Sequence, residues 1–349
     1  MNQLSPLGEL LLDEYREYRP QLELLAEKVY NMLTTTFREQ GIQLNAIEYR
    51  VKAEESLVGK IVRKGDKYKS LDSITDLVGL RIITFYSDDV DKVAAIVQQL
   101  FDIDWDNSVD KRKLHDPNSF GYSSLHYICR LKTGGIRFEI QMRTALQHVW
   151  SAIEHDIGYK GFVTLPPEYR RQFSRLAGML ELADDEFSRL RTTMTDYRRQ
   201  IQALVKSGRL DEVPLSNDSF DSYLKTHPFD RLNKRIAAVN QAEIFPAAMT
   251  SFLPVLIHFN FETLGDIERF INENFDNAYQ LALAQLAVTD IDILSESVGL
   301  QNLCLAYALK KGGDEKELHF IFDTINGHQD ANDFLIENIK KLAENIALS

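Results

Sequence analysis

Residues able to bind phosphate are concentrated in a basic stretch, Tyr49 to Ser70, with seven Lys or Arg residues against three acidic ones. If Glu54 to Val62 is helical, Ser56, Lys60 and Arg63 share one helix face at spacings i, i+4 and i+7. Arg binds phosphate bidentately and Lys binds it as a point charge, so this face could hold a triphosphate. A solvated basic surface is the alternative. The chain lacks GxxxxGK[ST], which excludes a P-loop.

A carboxylate follows this basic stretch at the start of a predicted strand. Leu80 to Tyr86 is rich in β-formers, and Asp76 stands just before it. Mg²⁺ in proteins usually takes one or two carboxylates plus substrate phosphates, so Asp76 is a candidate magnesium ligand. A capping role in a turn is the alternative. Residues 88–100 have helical apolar spacing and predict a helix after the strand.

A second polar strand face is predicted from residue 136 to residue 143. Apolar and polar residues alternate there, so the two kinds lie on opposite faces of the strand. The apolar set is Ile136, Phe138, Ile140 and Met142, and the polar set is Arg137, Glu139, Gln141 and Arg143. Thr144 is a plausible N-cap of a following helix, which carries His148 and His155 on one face. The polar side faces either a cleft or bulk solvent.

The strand before it adds further hydrogen-bonding groups. GYSSLHYICRL, residues 121–131, places Tyr122, Ser124 and His126 on one face, and the TGG at 133–135 predicts a hairpin into the next strand. An aromatic side chain at a cleft edge could stack on a base, which is worth ~1–3 kcal/mol. Ordinary sheet packing is the alternative for Tyr122. Residues 101–120 are polar and are predicted to form a loop.

Length and composition predict two domains in a cytoplasmic protein. The chain has 349 residues, a net charge of −12 and two cysteines that suit neither a disulfide framework nor a zinc site. No apolar run reaches the ~20 residues of a membrane span. Residues 1–209 hold 30 basic and 30 acidic residues, so the whole negative charge lies in 210–349. That acidity argues against broad duplex binding.

Helical spacing predicts the organisation of the chain. Residues 7–40 are expected to form two helices separated by Pro20. The predicted segments are N-terminal helices at 1–44, a strand-and-helix core with the candidate site residues at 45–165, a long helical extension at 166–206, a linker at 207–219, and an acidic α-helical domain at 220–349. The C-terminal helices could mediate homo-oligomerisation, or they could close over a core of their own.

Four motifs in order resemble the synthetase domain of the RelA/SpoT family, the GTP pyrophosphokinases that make pppGpp and ppGpp. They are R-x-K-x-x-x-S-x-x-x-K from Arg50, D-x-x-G-x-R from Asp76, G-Y-x-S-L-H from Gly121, and E-x-Q-x-R-T from Glu139 with H-x-W and E-H-x-x-x-Y-K after it. The resemblance implies an α+β fold, with a nucleotidyltransferase-like mixed β-sheet flanked by helices. An all-α C-terminal domain follows from the helical spacing.

The resemblance also implies a role for each matching residue. Arg50 and Arg81 would stack on the ATP adenine, with Lys52, Ser56, Lys60 and Arg63 on its phosphates. Asp76 would hold Mg²⁺, and Glu139 would be a second metal ligand or the base for the acceptor 3′-hydroxyl. Tyr122 would stack on guanine, with His126, Gln141 and Lys113 nearby. The implied reaction moves the β,γ-pyrophosphate of ATP to GDP or GTP and releases AMP.

Two departures from the family pattern keep alternatives open. Phe120 stands where the family often has Asn, next to the expected acceptor base, so the acceptor could instead be tRNA or an adenosine nucleotide, as in toxic relatives. The H…HD…D set of the alarmone hydrolase is absent, which predicts a synthetase without hydrolase. A nucleotide-sensing module with weak catalysis is a further alternative, against which both carboxylates, Asp76 and Glu139, argue.

Overall fold

The computed structural model describes residues 4–64, 67–113, 124–159, 167–287 and 291–346. The chain divides into two compact units, Met1–Thr192 and Thr193–Ser349. The predicted fold class is confirmed: the first unit is a mixed sheet with flanking helices, and the second is helical apart from two strands of three residues each.

A five-stranded sheet forms the centre of the first unit. Its strands are β1 (Ala46–Val51), β2 (Val78–Thr84), β3 (Phe101–Asp110), β4 (Leu125–Leu131) and β5 (Phe138–Thr144). They lie in the order β1-β2-β5-β4-β3. The pair β2–β5 is parallel and the other pairs are antiparallel, so the sheet is mixed. The predicted β4–β5 hairpin is confirmed, with Gly134 and Gly135 at positive φ in its turn.

Five helices accompany this sheet: α1 (Pro6–Glu39), α2 (Glu54–Lys64), α3 (Ser87–Leu100), α4 (Ala145–Tyr159) and α5 (Pro167–Lys206). The predicted break at Pro20 is wrong, because α1 continues through that residue. Proline removes one backbone hydrogen bond from a helix interior. The apolar face on both sides of it, including Tyr15, Leu22 and Val29, is fully buried, and that packing keeps the helix continuous.

The prediction of a loop from residue 101 is wrong as far as Asp110, because β3 occupies this segment. Phe101, Ile103 and Trp105 alternate with aspartates, which is a period of two that the acidic composition obscured. Strand β3 is at the edge of the sheet, where charged residues prevent pairing with another chain. Strand β1, at the other edge, was not predicted.

The predicted strand-to-helix junction at Thr144 is confirmed. The Thr144 hydroxyl accepts a hydrogen bond from the Gln147 amide at 3.1 Å, and the Thr144 amide donates to the Gln147 side chain at 2.9 Å. This is a reciprocal N-cap for α4. Thr144 also donates to the buried Asp184 of α5. Hydrogen bonds therefore connect the end of β5 with both α4 and α5.

A second contact joins α5 to the first turn of α3 through an ion pair. The buried Asp89 accepts hydrogen bonds from Lys92 at 2.7 Å and from Arg191 at 3.0 Å. Burial alone would raise the pKa of Asp89, but these two cations hold that pKa below its ordinary value. The Arg191 guanidinium also lies over the ring of Tyr86 at 4.5 Å.

In the part of the chain that the structure describes, the second unit consists of residues 193–206 of α5 and seven further α-helices around a core of their own. They are α6 (Asn217–Leu224), α7 (Asp230–Asn240), α8 (Leu253–His258), α9 (Leu264–Leu286), α10 (Val298–Lys310), α11 (Glu315–Asn326) and α12 (Ala331–Glu344), with parallel strands β6 (Glu243–Phe245) and β7 (Ile293–Ser295). In the segment predicted as a linker, Leu210 and Val213 are buried in this core. Among the described residues, no helix has the length and apolarity to cross a membrane. Cys129 and Cys304 are buried and unpaired.

Candidate active site

A cavity of about 200 Å³ opens on one face of the sheet, over β1, β2 and β5. It is lined by Glu48, Tyr49, Arg50, Asp76, Gly79, Leu80, Arg81, Glu139 and Gln141. Five of these are residues that the sequence singled out: Arg50, Asp76, Arg81, Glu139 and Gln141. Residues from three separate segments therefore meet in one cavity, and no single stretch of the sequence contains it.

The strand register explains how these side chains come together. Arg50 lies opposite Gly79, and Gly79 lies opposite Glu139. Two residues further along β2, Arg81 lies opposite Gln141 of β5. Side chains two residues apart on a strand point to the same face, so two cross-strand rows face the cavity.

Asp76 is held by two lysines at the edge of this cavity. Its Oδ1 accepts from Lys60 Nζ at 2.7 Å, and its Oδ2 lies 3.1 Å from Lys52 Nζ. The lysine side chains are only 13% and 17% exposed, so these charges are partly shielded from water. A carboxylate between two ammonium groups is a mixed-charge site that can exchange partners when an anion and a cation arrive together.

Glu139 is the most strongly perturbed carboxylate of the cavity. Its Oε1 lies 2.8 Å from His126 Nδ1, and its Oε2 accepts from the Gln141 side chain at 2.9 Å. Burial alone would raise the pKa of Glu139, but the hydrogen bond and charge of His126, together with the Gln141 hydrogen bond and the charge of Lys111, outweigh burial and lower that pKa to about 2. Ser124 lies on the far side of the imidazole, with its hydroxyl 2.6 Å from Nε2.

The hydrogen-bonded chain continues along β5 to a buried arginine. Arg143 donates to the Gln141 side chain at 2.7 Å and is 5% exposed. Burial, together with the like charge of Arg81, lowers the pKa of Arg143 to about 10, so the guanidinium stays protonated at neutral pH. His148 of α4 lies close enough to Arg143 for the two charges to interact. Burial lowers the pKa of His148 most, and the positive charge of Arg143 lowers it further.

The remaining predicted site residues are less central or lie outside the described residues. Ser56 and Arg63 are on α2 with exposed side chains, and they do not line the cavity. Lys52, Lys60 and His126 do not line it either, but each contacts a lining carboxylate. Tyr122 and the side chain of Lys113, both predicted at the acceptor base, lie outside the described residues, as does Phe120.

Three polar residues of this region have no role that the sequence patterns predict. Glu48 lines the cavity and forms an ion pair with Arg81, 3.5 Å between Oε2 and Nη1. Its position two residues before Arg50 would have identified it, had β1 been predicted. Ser124 was placed on the correct strand face without a role. Arg143 was placed on the polar face of β5, but its burial depends on α4 and could not be inferred from the strand pattern.

The donor set of the cavity fits a hard divalent cation. Asp76 and Glu139 are carboxylates that line one cavity, and Mg²⁺ typically takes one or two carboxylates while phosphates and water complete its octahedral shell. The low pKa of Glu139 keeps it ionised, as a metal ligand must be. Asp76 can take this role only if Lys60 and Lys52 release it.

Comparison with known proteins is consistent with this geometry. Residues 49–162 match the family model described as the region found in RelA / SpoT proteins. GTP pyrophosphokinase YwaC of Bacillus subtilis is 30% identical over 154 residues, covering 41% of this chain and 72% of YwaC. GTP pyrophosphokinase YjbM of the same organism is 27% identical over 182 residues, covering 50% of this chain and 85% of YjbM.

Solved structures show similarity over about half of the chain. The small alarmone synthetase 2 from Bacillus subtilis is 26% identical and covers 51% of this chain and 99% of its own, with a TM-score of 0.43. A GTP pyrophosphokinase family protein from Streptococcus pneumoniae is 25% identical and covers 53% of this chain and 94% of its own, with a TM-score of 0.44.

Proposed function

Because this chain belongs to the RelA/SpoT family of GTP pyrophosphokinases, we propose that it transfers the β,γ-pyrophosphate of ATP to the ribose 3′-hydroxyl of GDP or GTP. The products are ppGpp or pppGpp and AMP. The observation that carries the proposal is the meeting of two carboxylates, Asp76 and Glu139, with Arg50 and Arg81 in one cavity.

ATP is placed with its adenine at Arg50 and Arg81. Both guanidinium groups line the cavity, and guanidinium planes stack on aromatic rings. The triphosphate then points toward Lys52 and Lys60, beside Asp76. Ser56 and Arg63 on the exposed face of α2 complete the phosphate contacts.

Mg²⁺ is assigned to Asp76 and Glu139. When bound, the cation supplies neutralisation of charge on the transferring phosphates. Lys52 and Lys60 exchange their bond to Asp76 for bonds to phosphate oxygens, which frees the carboxylate. The exchange keeps every charged group paired, as a partly buried site requires.

The guanosine acceptor is assigned to the β4 side of the cavity. Gln141 and His126 lie on neighbouring strands there, opposite each other in the register. Tyr122 is assigned to stacking on guanine, and Lys113 to binding the acceptor nucleotide beside it. Glu139, between the two nucleotides, serves as the second metal ligand or as the base for the 3′-hydroxyl.

The reaction breaks one bond and forms one. The acceptor 3′-oxygen attacks the β-phosphorus of ATP, the bond from that phosphorus to the α,β-bridging oxygen breaks, and AMP leaves with that oxygen. The 3′-hydroxyl proton passes to a base, a role proposed for Glu139. The protein contributes mainly by positioning two nucleotides and compensating their charge, which can account for most of such a rate enhancement.

The segments outside the catalytic core are assigned to two roles, which are extension of the core and association of two copies of the chain. We propose that residues 45–165 are the catalytic core, that 166–206 extend it, and that 220–349 form an accessory domain. Leu176, Phe187 and Leu190 of α5 have exposed side chains at heptad-compatible spacing, which supports association of two copies through this helix. Light scattering tests this assignment on the purified wild type and on a Leu176→Glu, Leu190→Glu double variant. We expect a dimeric wild type and a monomeric variant, and a monomeric wild type would contradict the assignment.

One incubation tests the proposed function. Purified protein, Mg²⁺ and γ-labelled ATP are offered GDP, GTP, ATP and deacylated tRNA separately, and the products are resolved by chromatography. Label in a guanosine tetra- or pentaphosphate supports the proposal. Label only in tRNA or in an adenosine product would replace the acceptor and would give the segment with Phe120 a role in specificity. ATP binding without transfer to any acceptor would favour a nucleotide-sensing module.

A further inference from the structure

Gly79 occupies the middle of the cavity floor. It lies within β2 between two charged neighbours, opposite Arg50 on one side and Glu139 on the other. Its own neighbours in the chain, Val78 and Leu80, are fully buried. Because side chains alternate along a strand, a side chain at position 79 would point away from that core and into the cavity.

The fold itself does not require glycine at this position. Gly79 is not among the residues with positive φ, so an L-amino acid fits the backbone. A Cβ there would come no closer than 3.9 Å to any atom, the nearest being Arg50 Cγ and Nε, which is ordinary van der Waals contact. By contrast, a Cβ at Gly265 would lie 2.0 Å from Asp211 Oδ1. Gly265 is therefore required by packing, whereas Gly79 is not.

Glycine inside a strand weakens the strand, because it has the most backbone entropy to lose and no side chain to pack. A strand glycine that neither the backbone nor packing requires often marks a place where a ligand approaches the backbone closely. Gly79 meets this description, since it lines a cavity of only about 200 Å³. A side chain here would occupy the space between Arg50 and Glu139.

We infer that Gly79 is a binding residue for ATP, whose adenosine lies directly over its backbone. This inference rests on the proposed function, which assigns the adenine to Arg50 and Arg81 and the phosphates to Asp76. Gly79 lies opposite Arg50 in the strand register and about 7 Å from Arg81 at the rise of an extended strand, and Asp76 precedes β2. An adenosine held by both arginines, with its phosphates toward Asp76, crosses this position.

The test compares Gly79→Ala and Gly79→Val with the wild type, using calorimetric titration with α,β-methylene ATP and Mg²⁺. Both variants are expected to melt at or above the wild-type temperature, because a compatible side chain reduces the entropy of the unfolded chain. Affinity is expected to fall about tenfold or more in Gly79→Val and less in Gly79→Ala. In turnover, KM for ATP rises, whereas KM for the guanosine acceptor changes little.

Titration of the same variants with GDP is the control, because the guanosine acceptor is assigned to the β4 side of the cavity, away from Gly79. Wild-type affinity in Gly79→Val would overturn the inference. So would a lower melting temperature of Gly79→Ala, which would make the glycine structural. Failure of the proposed function gives a different result: the wild type binds the analogue and Gly79→Val does not, yet no guanosine product forms.

Discussion

The pairing of Asp76 with two lysines leads to an expectation for the variant Asp76→Asn. In the structure, Lys52 and Lys60 are bound to the carboxylate that is assigned to the metal. A triphosphate must draw both ammonium groups away before it can bind them. Removing the carboxylate charge should therefore strengthen the binding of metal-free ATP. It should also abolish the increase in ATP affinity that Mg²⁺ causes.

The contacts set the magnitude of this effect. The two N–O distances are 2.7 and 3.1 Å, the lysine side chains are 13% and 17% exposed, and Asp76 is 27% exposed. A hydrogen bond to a charged group is worth about 1.5–3 kcal/mol when buried, and an exposed ion pair is worth less. We expect Asp76→Asn to lower the free energy of unfolding by about 1–3 kcal/mol. Metal-free ATP should bind to Asp76→Asn more favourably than to the wild type by the same free energy, because it no longer has to break these contacts. This corresponds to about fivefold to hundredfold tighter binding.

Calorimetric titration with α,β-methylene ATP, once with EDTA and once with Mg²⁺, measures both effects. The transfer rate of Asp76→Asn should fall about a hundredfold or more. The reason is that the metal loses a ligand, and a bound metal stabilises the charge of the transition state by several kcal/mol. Asp72→Asn is the control: this carboxylate also meets two cations, Arg130 and Arg137, but it does not line the cavity. Weaker binding of metal-free nucleotide by Asp76→Asn would refute the exchange of partners.

Three further substitutions have defined outcomes. His126→Ala should raise the pKa of Glu139, because burial then acts without the opposing histidine, so the acid limb of the pH–rate profile should move to higher pH; an unmoved limb would contradict this. Asp89→Asn should lower stability at pH 7; since the native pKa of Asp89 is below its ordinary value of 3.8, the difference from wild type should begin to shrink below that pH and vanish only below the depressed native pKa in acid unfolding scans. Thr144→Val should cost about 1–4 kcal/mol in urea unfolding, because it removes both the α4 cap and the hydrogen bond to the buried Asp184, and an unchanged midpoint would contradict these roles.

The centre of the fold could be predicted because its sequence patterns are strong. In β5 every second residue is apolar, and Phe138, Ile140 and Met142 are indeed fully buried. The edge strands β1 and β3 could not be predicted as easily, since neither alternates between clearly apolar and polar residues throughout. An edge strand is defined by the neighbour with which it pairs, and that information is not local to its sequence.

The types of the candidate site residues could be predicted, but their pairing could not. Asp76 was expected to hold a metal, and Lys60 to bind phosphate, yet in the structure they contact each other. That contact depends on where the fold places α2 relative to the segment that precedes β2. The low pKa of Glu139 likewise arises from His126 on a neighbouring strand. The role of Gly79 was not inferred, because a missing side chain becomes informative only when its surroundings are known.

The central claim is that Glu139 and its cavity carry out pyrophosphate transfer, and Glu139→Gln tests it most directly. The measurement is transfer of label from γ-labelled ATP to GDP, together with AMP release, for the wild type and the variant side by side. We expect the wild type to form guanosine tetraphosphate and AMP in equal amounts. The variant should bind α,β-methylene ATP with little loss and form no product. Comparable transfer by the variant would contradict the assignment of the site.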